Sequence, residues 1–298
     1  MSEKTITRRT LLKRTALAAI GTSLFLNSPF KVFGKNKSDL TKVILVRNNN
    51  VMDVDRNVNK QILEKMLDDA LVELTGKPSV EQAWSSVLKP EDILGIKTNV
   101  WKYLATPAEL EEILKEKAMQ VGIKESNIGI KDRGVVNDPL FQKATALINS
   151  RPMRTHAWSG VGSLLKNYIM FVNTPSSYHG DSCADLAAIW KENNLIGKTK
   201  LNILVMLTPL FHGVGPHHYN KQFTWEYNGI VVGVDPVAVD SVGLRIIQAK
   251  RTDYFGEDTP LNPPAKHILL ADTRHHLGTA NPDNIDLIRI GDMENSLI

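Results

Sequence analysis

The chain contains a single cysteine, Cys183, among its 298 residues. One thiol cannot close an internal disulfide, and it cannot supply the several thiolates that hold an iron-sulfur cluster. An iron-sulfur cofactor bound by one chain is therefore not expected. Stability must come from packing or from a bound ligand.

Motifs that identify several common enzyme classes are also missing. The sequence has no HExxH pair of zinc peptidases, no Gly-x-Ser-x-Gly elbow of serine hydrolases and no Walker A loop. No long apolar run occurs after residue 26, and there is no internal repeat or low-complexity linker. Any site must therefore be found from the arrangement of polar residues along the fold.

An excess of basic charge is missing from most of the chain, although the whole sequence carries a formal charge of +4. Residues 1–34 hold six of the 36 Lys and Arg residues and one of the 32 Asp and Glu residues, which leaves 30 bases against 31 acids. A basic surface is the footprint of nucleic-acid binding. Because the remainder carries a charge of -1, a nucleic-acid partner is not expected.

The N-terminus carries the most informative pattern. Arg8 and Arg9 stand in a basic start, and the apolar run of residues 15–26 that follows is too short to cross a bilayer comfortably. This pattern predicts a twin-arginine signal peptide over residues 1–34, with the Tat translocase as a partner and a periplasmic or otherwise extracytoplasmic location. A chance basic start or an uncleaved anchor is the alternative.

Residues 35–298 are predicted to form one α/β domain, because strand-like and helix-like stretches alternate along them. The predicted strands are residues 42–46, 92–98, 128–131, 201–207, 230–234 and 285–290. Predicted helices end at Gly76 and Gly122, the second with Thr106 as its N-cap, and a third runs from Pro236 to about residue 248. We expect a mixed, mostly parallel sheet with helices on both faces.

Polar residues gather just after these strands, where ligands sit in open α/β sheets. They are Lys97, Asn99, Asp132, Arg133, His156, His212, His217, His218, Asp235 and Asp240. Each also has a structural alternative, since Asp is common in turns and helix caps.

Two further segments could carry a ligand. In residues 155–167, Gly160 and Gly162 would let the backbone approach a ligand, Ser159 could begin a helix whose amides attract an anion, and Lys166 follows. In residues 212–218, three histidines could join His179, Asp181 and Asp185 in a site for a divalent metal, although no standard spacing fixes one. Cys183 is expected to be a small buried residue rather than a nucleophile.

Several segments together resemble the bacterial and archaeal family called domain of unknown function 362. They are LKPEDILGIKTN at 88–99, TP at 106–107, HAWSGVG at 156–162 with LKN at 165–167, YH at 178–179, and VDPVAVD at 234–240. Many members look like iron-sulfur proteins because they carry a ferredoxin-like cysteine pattern, which this chain lacks. The resemblance implies site residues at Lys97, Asn99, His156, Lys166, Asn167, His179, Asp235 and Asp240.

The first hypothesis is an exported protein that binds a small anionic or metal-containing ligand at the strand ends, with enzymatic activity left open. The candidate catalytic residues are His156, Lys166 and His179; the candidate ligand-binding residues are Lys97, Asn99, Asn167 and Asp132; the candidate metal ligands are His156, His179, Asp235 and Asp240. The second hypothesis is a non-catalytic partner or maturation factor of an exported redox enzyme. Its contact anchors would be Phe211, Tyr219, Phe223 and Trp225.

Overall fold

The computed structural model describes residues 39–213 and 219–298. The predicted signal peptide of residues 1–34 and the histidines His217 and His218 lie outside the described residues. The strands are β1 (Thr41–Arg47), β2 (Leu94–Lys97), β3 (Ile128–Lys131), β4 (Ala146–His156), β5 (Gly160–Gly162), β6 (Thr199–Leu210), β7 (Gly229–Gly233) and β8 (Ile285–Gly291).

These strands form one open sheet in the order β3-β2-β4-β6-β7-β1-β8, with β5 paired to the end of β4. β7 runs antiparallel to both of its neighbours, and β5 runs antiparallel to β4. The remaining pairs, β1 with β8, β2 with β3 and β4, and β4 with β6, are parallel. The predicted mixed, mostly parallel sheet is confirmed.

Helices cover both faces of this sheet. They are α1 (Lys60–Thr75), α2 (Val80–Val87), α3 (Ala108–Val121), α4 (Pro139–Lys143), α5 (Leu164–Asn167), α6 (Leu186–Glu192), α7 (Leu195–Lys198), α8 (Pro236–Phe255) and α9 (Lys266–Thr273). Across the described ranges, no helix combines the length and the apolar character needed to span a bilayer.

The two faces hold separate apolar clusters, because successive side chains of a strand point to opposite sides. In β1, Ile44 and Val46 pack in the cluster that contains the buried faces of α1, α2 and α3. Val43 and Leu45 pack in the other cluster, with α4, α6, α8 and α9. The core therefore lies on both sides of the sheet, as the near-continuous apolar run of β6 predicts.

The helix boundaries follow local capping chemistry. Asn59 accepts a hydrogen bond from the Ile62 amide at 3.2 Å, and α1 ends at Gly76 with a φ of 65°, as predicted. Asp235 caps α8 by accepting from the amides of Val237 and Ala238. The end of α8 lies beyond the predicted residue 248, since the left-handed glycine that stops this helix is Gly256.

Some predicted boundaries were wrong. Thr106 does not cap α3: its hydroxyl accepts from the Asn99 amide at 3.0 Å, and the helix begins after Pro107 without a side-chain cap. Ser159 does not start a helix, because β5 follows it and α5 begins only after Ser163. The strand predicted over residues 201–207 is longer at both ends, since β6 runs from Thr199 to Leu210.

Candidate functional site

The helices that follow β2 and β4 lie on opposite faces of the sheet. α3 contributes Leu110 and Ile113 to one apolar cluster, whereas α5 contributes Leu164 and Leu165 to the other. The chain leaves β2 toward β3 and leaves β4 toward β6, so the two connections diverge between β2 and β4 at their carboxyl ends. Ligands of open α/β proteins bind in crevices of this kind.

A pocket of about 230 Å³ opens at this crevice. It is lined by Asn99, Asp132, Arg133, Arg151, Arg154, His156, Trp158, Lys166, Asn167, Ile169, Met170, Pro175 and His179. Seven of the polar residues that the sequence singled out therefore share one pocket: Asn99, Asp132, Arg133, His156, Lys166, Asn167 and His179. Lys97, also predicted, is fully buried and does not line it.

The charge on the pocket wall is strongly positive. Arg133, Arg151, Arg154 and Lys166 are cationic, and Asp132 is the one carboxylate among the described lining residues. The Asp132 carboxylate is already neutralised, because Lys97 Nζ donates to its Oδ1 at 2.7 Å. The pocket wall as a whole therefore carries an excess of positive charge.

The Lys97 ammonium donates its hydrogen bonds to groups within the protein. Besides Asp132, Nζ donates to the Thr98 carbonyl at 2.7 Å and to Asn167 Oδ1 at 3.2 Å. Burial alone would raise the pKa of Asp132, but the Lys97 ammonium and the Val100 amide hold the pKa of that carboxyl below its usual range. Lys97 and Asp132 thus form a buried ion pair that shapes the pocket floor.

The guanidinium groups of Arg151 and Arg154 differ from the Lys97 ammonium, because each is buried with at least one donor that has no hydrogen-bond partner among the described residues. Each side chain is 4 % exposed. Arg151 Nε and both Nε and Nη1 of Arg154 have no hydrogen-bond partner among the described residues. Burial lowers the pKa of Arg151 to about 10 and, together with Arg151, that of Arg154 to about 8. Guanidinium groups stay protonated in proteins, so both carry unsatisfied positive charge.

β4 brings the two arginines to one pocket at an irregular place. Residues three apart point to opposite faces of a regular strand. Pairing with β2 ends at Asn149, however, and the register with β6 shifts between Pro152 and Arg154. Both guanidinium groups line the pocket on this overhanging end of the strand.

A wall of aromatic rings lies against Arg154. Its guanidinium carbon stands 4.1 Å from the centre of the Trp101 ring, a cation–π contact. Trp101 contacts Tyr103 and Tyr219 edge to face, and Tyr103 and Tyr219 stack at 4.7 Å. The Trp101 ring therefore covers one face of the guanidinium, and the two tyrosine rings support Trp101.

The glycines of β5 serve neighbouring protein groups. A Cβ on Gly162 would stand 2.9 Å from Arg151 Nη2, so only glycine leaves room for this guanidinium. Gly160 has a φ of 71°, and a Cβ there would meet the Pro263 carbonyl at 2.6 Å. The close approach predicted for a ligand is used here by Arg151 and by residues 263–265.

A buried carboxylate anchors α5, the helix that presents Lys166 and Asn167. Asp240 accepts from Ser163 Oγ at 2.6 Å and from the amides of Leu164 and Leu165 at 2.9 Å. Burial raises the pKa of Asp240 to about 6 despite these bonds. Asp240 is thus a positioning residue for the pocket and does not line it.

Lys166 lines the pocket beside the chain's one thiol. Its Nζ lies 3.5 Å from Cys183 Sγ, and the side chain is 3 % exposed. Burial lowers the pKa of Lys166 to about 8, with Cys183 opposing this shift and Arg151 and Arg154 adding to it. Burial raises the pKa of Cys183, so the thiol stays protonated at neutral pH.

Two histidines and a tryptophan form the other side of the pocket. The Trp158 amide donates to His156 Nδ1 at 3.3 Å, which assigns the ring proton to Nε2. Burial, with Arg151 and Arg154 nearby, lowers the pKa of His156 far below its usual value, so the ring is neutral. His179 stacks on the Trp158 ring at 4.2 Å, and burial lowers its pKa as well.

The remaining candidates are used within the protein or lie elsewhere. The Asn167 amide donates to Asn149 Oδ1 and to the carbonyls of Lys97 and Ser150, whereas Asn99 Oδ1 is buried without a partner among the described residues. Asp235 caps α8 and accepts from the Thr279 amide at 2.8 Å. Neither Asp235 nor Asp240 lines the pocket that His156 and His179 share.

The predicted histidine and aspartate cluster is not assembled among the described residues. Asp181 pairs with Lys266, Asp185 pairs with Arg274 and His275, and His212 contacts Arg251. Within residues 39–213 and 219–298, no three His, Cys, Asp or Glu side chains are placed to share a metal ion. His217 and His218 lie outside that part of the chain.

The predicted contact anchors of the second hypothesis pack inward. Phe211 is buried, and Phe223 and Trp225 are partly buried against it at ring distances of 5.8 and 5.6 Å. Tyr219 is partly buried in the aromatic wall beside Trp101. Their packing gives each ring a role inside the protein.

Sequence inspection missed Arg151, Arg154 and Trp158, and it missed β4 as a strand. Polar residues from Asn149 onward and Pro152 interrupt the apolar pattern that marks a buried strand. The available signal was a pair of arginines directly upstream of His156, in a stretch with no acidic residue from 139 to 180 to pair with them.

The sequence model of the family described as "Domain of unknown function (DUF362)" matches residues 92–245, just over half of the 298-residue chain. This span contains every residue that lines the pocket. Neither a curated protein nor a solved structure matches the chain.

Proposed function

The chain belongs to the DUF362 family, whose description leaves its function open, and we propose from the site itself that the protein binds a small anionic ligand. The ligand lies between β2 and β4, with its negative group against Arg151 and Arg154. Lys166 adds a third positive charge, and Asn99 and the Nε2 proton of His156 orient the ligand by hydrogen bonds.

The observation that carries this proposal is a pair of buried guanidinium groups, neither with a carboxylate partner among the described residues and both with N–H donors that no described acceptor meets. A buried, unpaired charge is costly, so proteins keep one where a ligand pairs with it. Planar guanidinium groups match carboxylate and phosphate oxygens in a two-pronged geometry. A small carboxylate or oxyanion therefore fits better than a neutral molecule.

The same charges favour an anionic form for any metal that enters the pocket. Four cationic side chains repel a bare divalent ion, and the nearest carboxylate, Asp132, is held by Lys97. A metal held by His156 and His179 would arrive within an anionic complex or an oxyanion. A metal-containing ligand therefore remains part of the proposal, as one kind of anionic ligand.

Thermal unfolding in the presence of anions tests the proposal. Phosphate, sulfate, acetate and pyruvate are titrated at constant ionic strength into the wild type, the pocket variant Arg151→Met and the control Arg251→Met. Arg251 is 5 % exposed but donates to the carbonyls of Phe211, Thr259 and Pro260, away from the pocket. At 100 times its Kd, a ligand of the folded state adds about 2.7 kcal/mol of stability.

We expect at least one anion to raise the midpoint of unfolding in the wild type and in Arg251→Met but not in Arg151→Met. An equal response of all three proteins would show general salt effects, and no response to any of these anions would refute a site for small anions.

We also propose that residues 1–34 direct export through the Tat translocase. Support comes from Arg8 and Arg9 ahead of the apolar run in the sequence. Fusing residues 1–34 to a folded reporter should deliver it to the periplasm, and Arg8→Lys with Arg9→Lys should retain it in the cytoplasm. Delivery that is unaffected by the paired substitution would contradict this assignment.

A further inference from the structure

Lys166 differs from the other buried lysines described in the chain. Lys97 is paired with Asp132 at 2.7 Å, and Lys117 is paired with Asp68 and Glu64 at 2.6 and 2.8 Å. Lys166 has no carboxylate partner among the described residues, and its hydrogen-bond partner is the Cys183 thiol. A protonated amine is poorly stabilised by a neutral thiol, so this lysine is suited to losing its proton.

The backbone that places this thiol is unusual. Asp181, Ser182 and Cys183 have φ angles of 48°, 57° and 61°, three successive non-glycine residues in the left-handed region. L-residues rarely visit this region, and such conformations persist where the surrounding structure enforces them, often at functional sites. In this turn the Sγ of Cys183 lies beside Nζ of Lys166. The one carboxylate of the three residues, that of Asp181, pairs with Lys266 instead.

The amine and the guanidinium groups share one small pocket. A volume of about 230 Å³ corresponds to roughly seven or eight water volumes, enough for an acid of a few carbons. Arg151 and Arg154 would hold the carboxylate of such an acid, and Lys166 would stand beside the atoms that follow it. The pocket thus combines a site for an acid group with a buried primary amine.

Building on the proposed anion site, we propose that Lys166 is a nucleophile that forms an imine with a small 2-oxo acid whose carboxylate is bound by Arg151 and Arg154. The neutral amine attacks the carbonyl carbon, and the carbonyl π electrons pass to oxygen, which takes a proton from solvent. The resulting carbinolamine takes up a second proton and loses water while nitrogen forms the C=N double bond. The nitrogen gives one of its two protons to solvent on forming the carbinolamine. It gives up the second after water has left only where the imine is neutral, and no oxidant or reductant is needed.

The electrostatic surroundings favour the neutral amine that this step needs. Burial lowers the pKa of Lys166 to about 8, and the cations of β4, Arg151 and Arg154, act in the same direction. The other titratable groups around it are neutral, since burial lowers the pKa of both His156 and His179 and raises that of Cys183. Imine formation should therefore become faster as the pH rises through about 8, whereas binding of a simple anion should weaken over the same range.

Reductive trapping tests the proposal on the full chain. The protein is incubated with pyruvate, glyoxylate or 2-oxoglutarate and sodium cyanoborohydride, and adducts are located by peptide mass spectrometry. Lys166→Arg keeps a positive charge in the pocket but cannot form an imine. Lys97 serves as an internal control, because burial lowers its pKa to about 8 as well, yet its amine is paired with Asp132 and does not line the pocket. Acetate and phosphate, which have no ketone or aldehyde, report anion binding by thermal unfolding in the same samples.

We expect one reduced adduct on Lys166 with at least one 2-oxo acid, none on Lys97, and none on the pocket of Lys166→Arg. Acetate or phosphate should compete with the adduct. Anion binding without a Lys166 adduct would overturn the imine and leave the anion site standing. Adducts confined to exposed lysines would overturn it as well. Loss of anion binding together with a missing adduct would refute both the imine and the proposed function.

Discussion

Replacing Arg154 by methionine should stabilise the ligand-free protein while removing its response to anions. Arg154 is 4 % exposed, and its Nε and Nη1 have no hydrogen-bond partner among the described residues. Methionine has a similar length, can remain against the Trp101 ring, and carries no charge or donor to be buried. The substitution therefore removes a cost from the folded state.

The size of the effect follows from two opposing contributions. Two buried donors without acceptors cost about 1–3 kcal/mol each. The cation–π contact with Trp101 at 4.1 Å returns about 0.5–2 kcal/mol, which the variant loses. We expect a net gain of about 1–3 kcal/mol in the free energy of unfolding, hence a rise of roughly 2–5 °C in Tm for a chain of this length.

Urea denaturation and calorimetry in an anion-free buffer measure this change. Arg251→Met is the matched control, because Arg251 is as deeply buried but donates to the carbonyls of Thr259, Phe211 and Pro260 at 2.9, 3.0 and 3.0 Å. Its loss leaves these carbonyls without their donors and should destabilise the protein by about 2–4 kcal/mol. Two buried Arg→Met substitutions should thus have effects of opposite sign.

The reasoning would be refuted if Arg154→Met lowered stability as Arg251→Met does. It would also be refuted if an anion that stabilises the wild type stabilised Arg154→Met to the same extent. The first result would show that the guanidinium of Arg154 is satisfied within the protein. The second would place the bound anion away from β4.

Two further predictions concern the supports of the pocket. Gly162→Ala should weaken anion binding by about tenfold with a small loss of stability, because the new Cβ would lie 2.9 Å from Arg151 Nη2. Calorimetric titration of the wild type and Gly162→Ala measures the change, and equal affinity of the two proteins would contradict it. Asp240→Asn should lower stability at pH 7 by about 1–3 kcal/mol, since an amide cannot accept all three hydrogen bonds that hold α5. Burial raises the pKa of Asp240 to about 6, above the ordinary value of 3.8. The free energy of unfolding of the wild type, relative to that of Asp240→Asn, should therefore fall as the pH rises from about 4 to about 6. Urea titrations that give a constant difference between the two proteins over that interval would argue against a buried titrating carboxyl.

The sequence predicted the fold well where local patterns act alone. The apolar run of β6, the short run of branched residues in β1 and the glycine at the end of α1 each indicate burial or backbone conformation from the local sequence alone. The strand-end rule also located the pocket, since it selected Asn99, Asp132 and His156.

The charge chemistry of the pocket could not be predicted in the same way. Arg151 lies in a strand that polar residues and Pro152 conceal, and nothing in its neighbourhood shows that it lacks a partner in three dimensions. Asp240 looked like a ligand from its place after a strand, yet its oxygens are taken by backbone amides 75 and 76 residues away and by a serine. Tertiary packing decides which distant residues become hydrogen-bond or ion-pair partners. The spacing of apolar residues along the sequence does not show these partners.

The uneven pairing of β4 with β6 bears on how related chains can vary in length. Pro152 pairs with Val205 and Arg154 pairs with Leu210, so two steps along β4 match five along β6. Residues added or removed at 208–209 would leave the pairs Pro152–Val205 and Met206–Gly229 in place, whereas one residue added between Arg151 and Arg154 would turn one guanidinium out of the pocket. In an alignment of chains that keep this pocket, gaps should therefore fall in β6 and spare the arginine pair of β4.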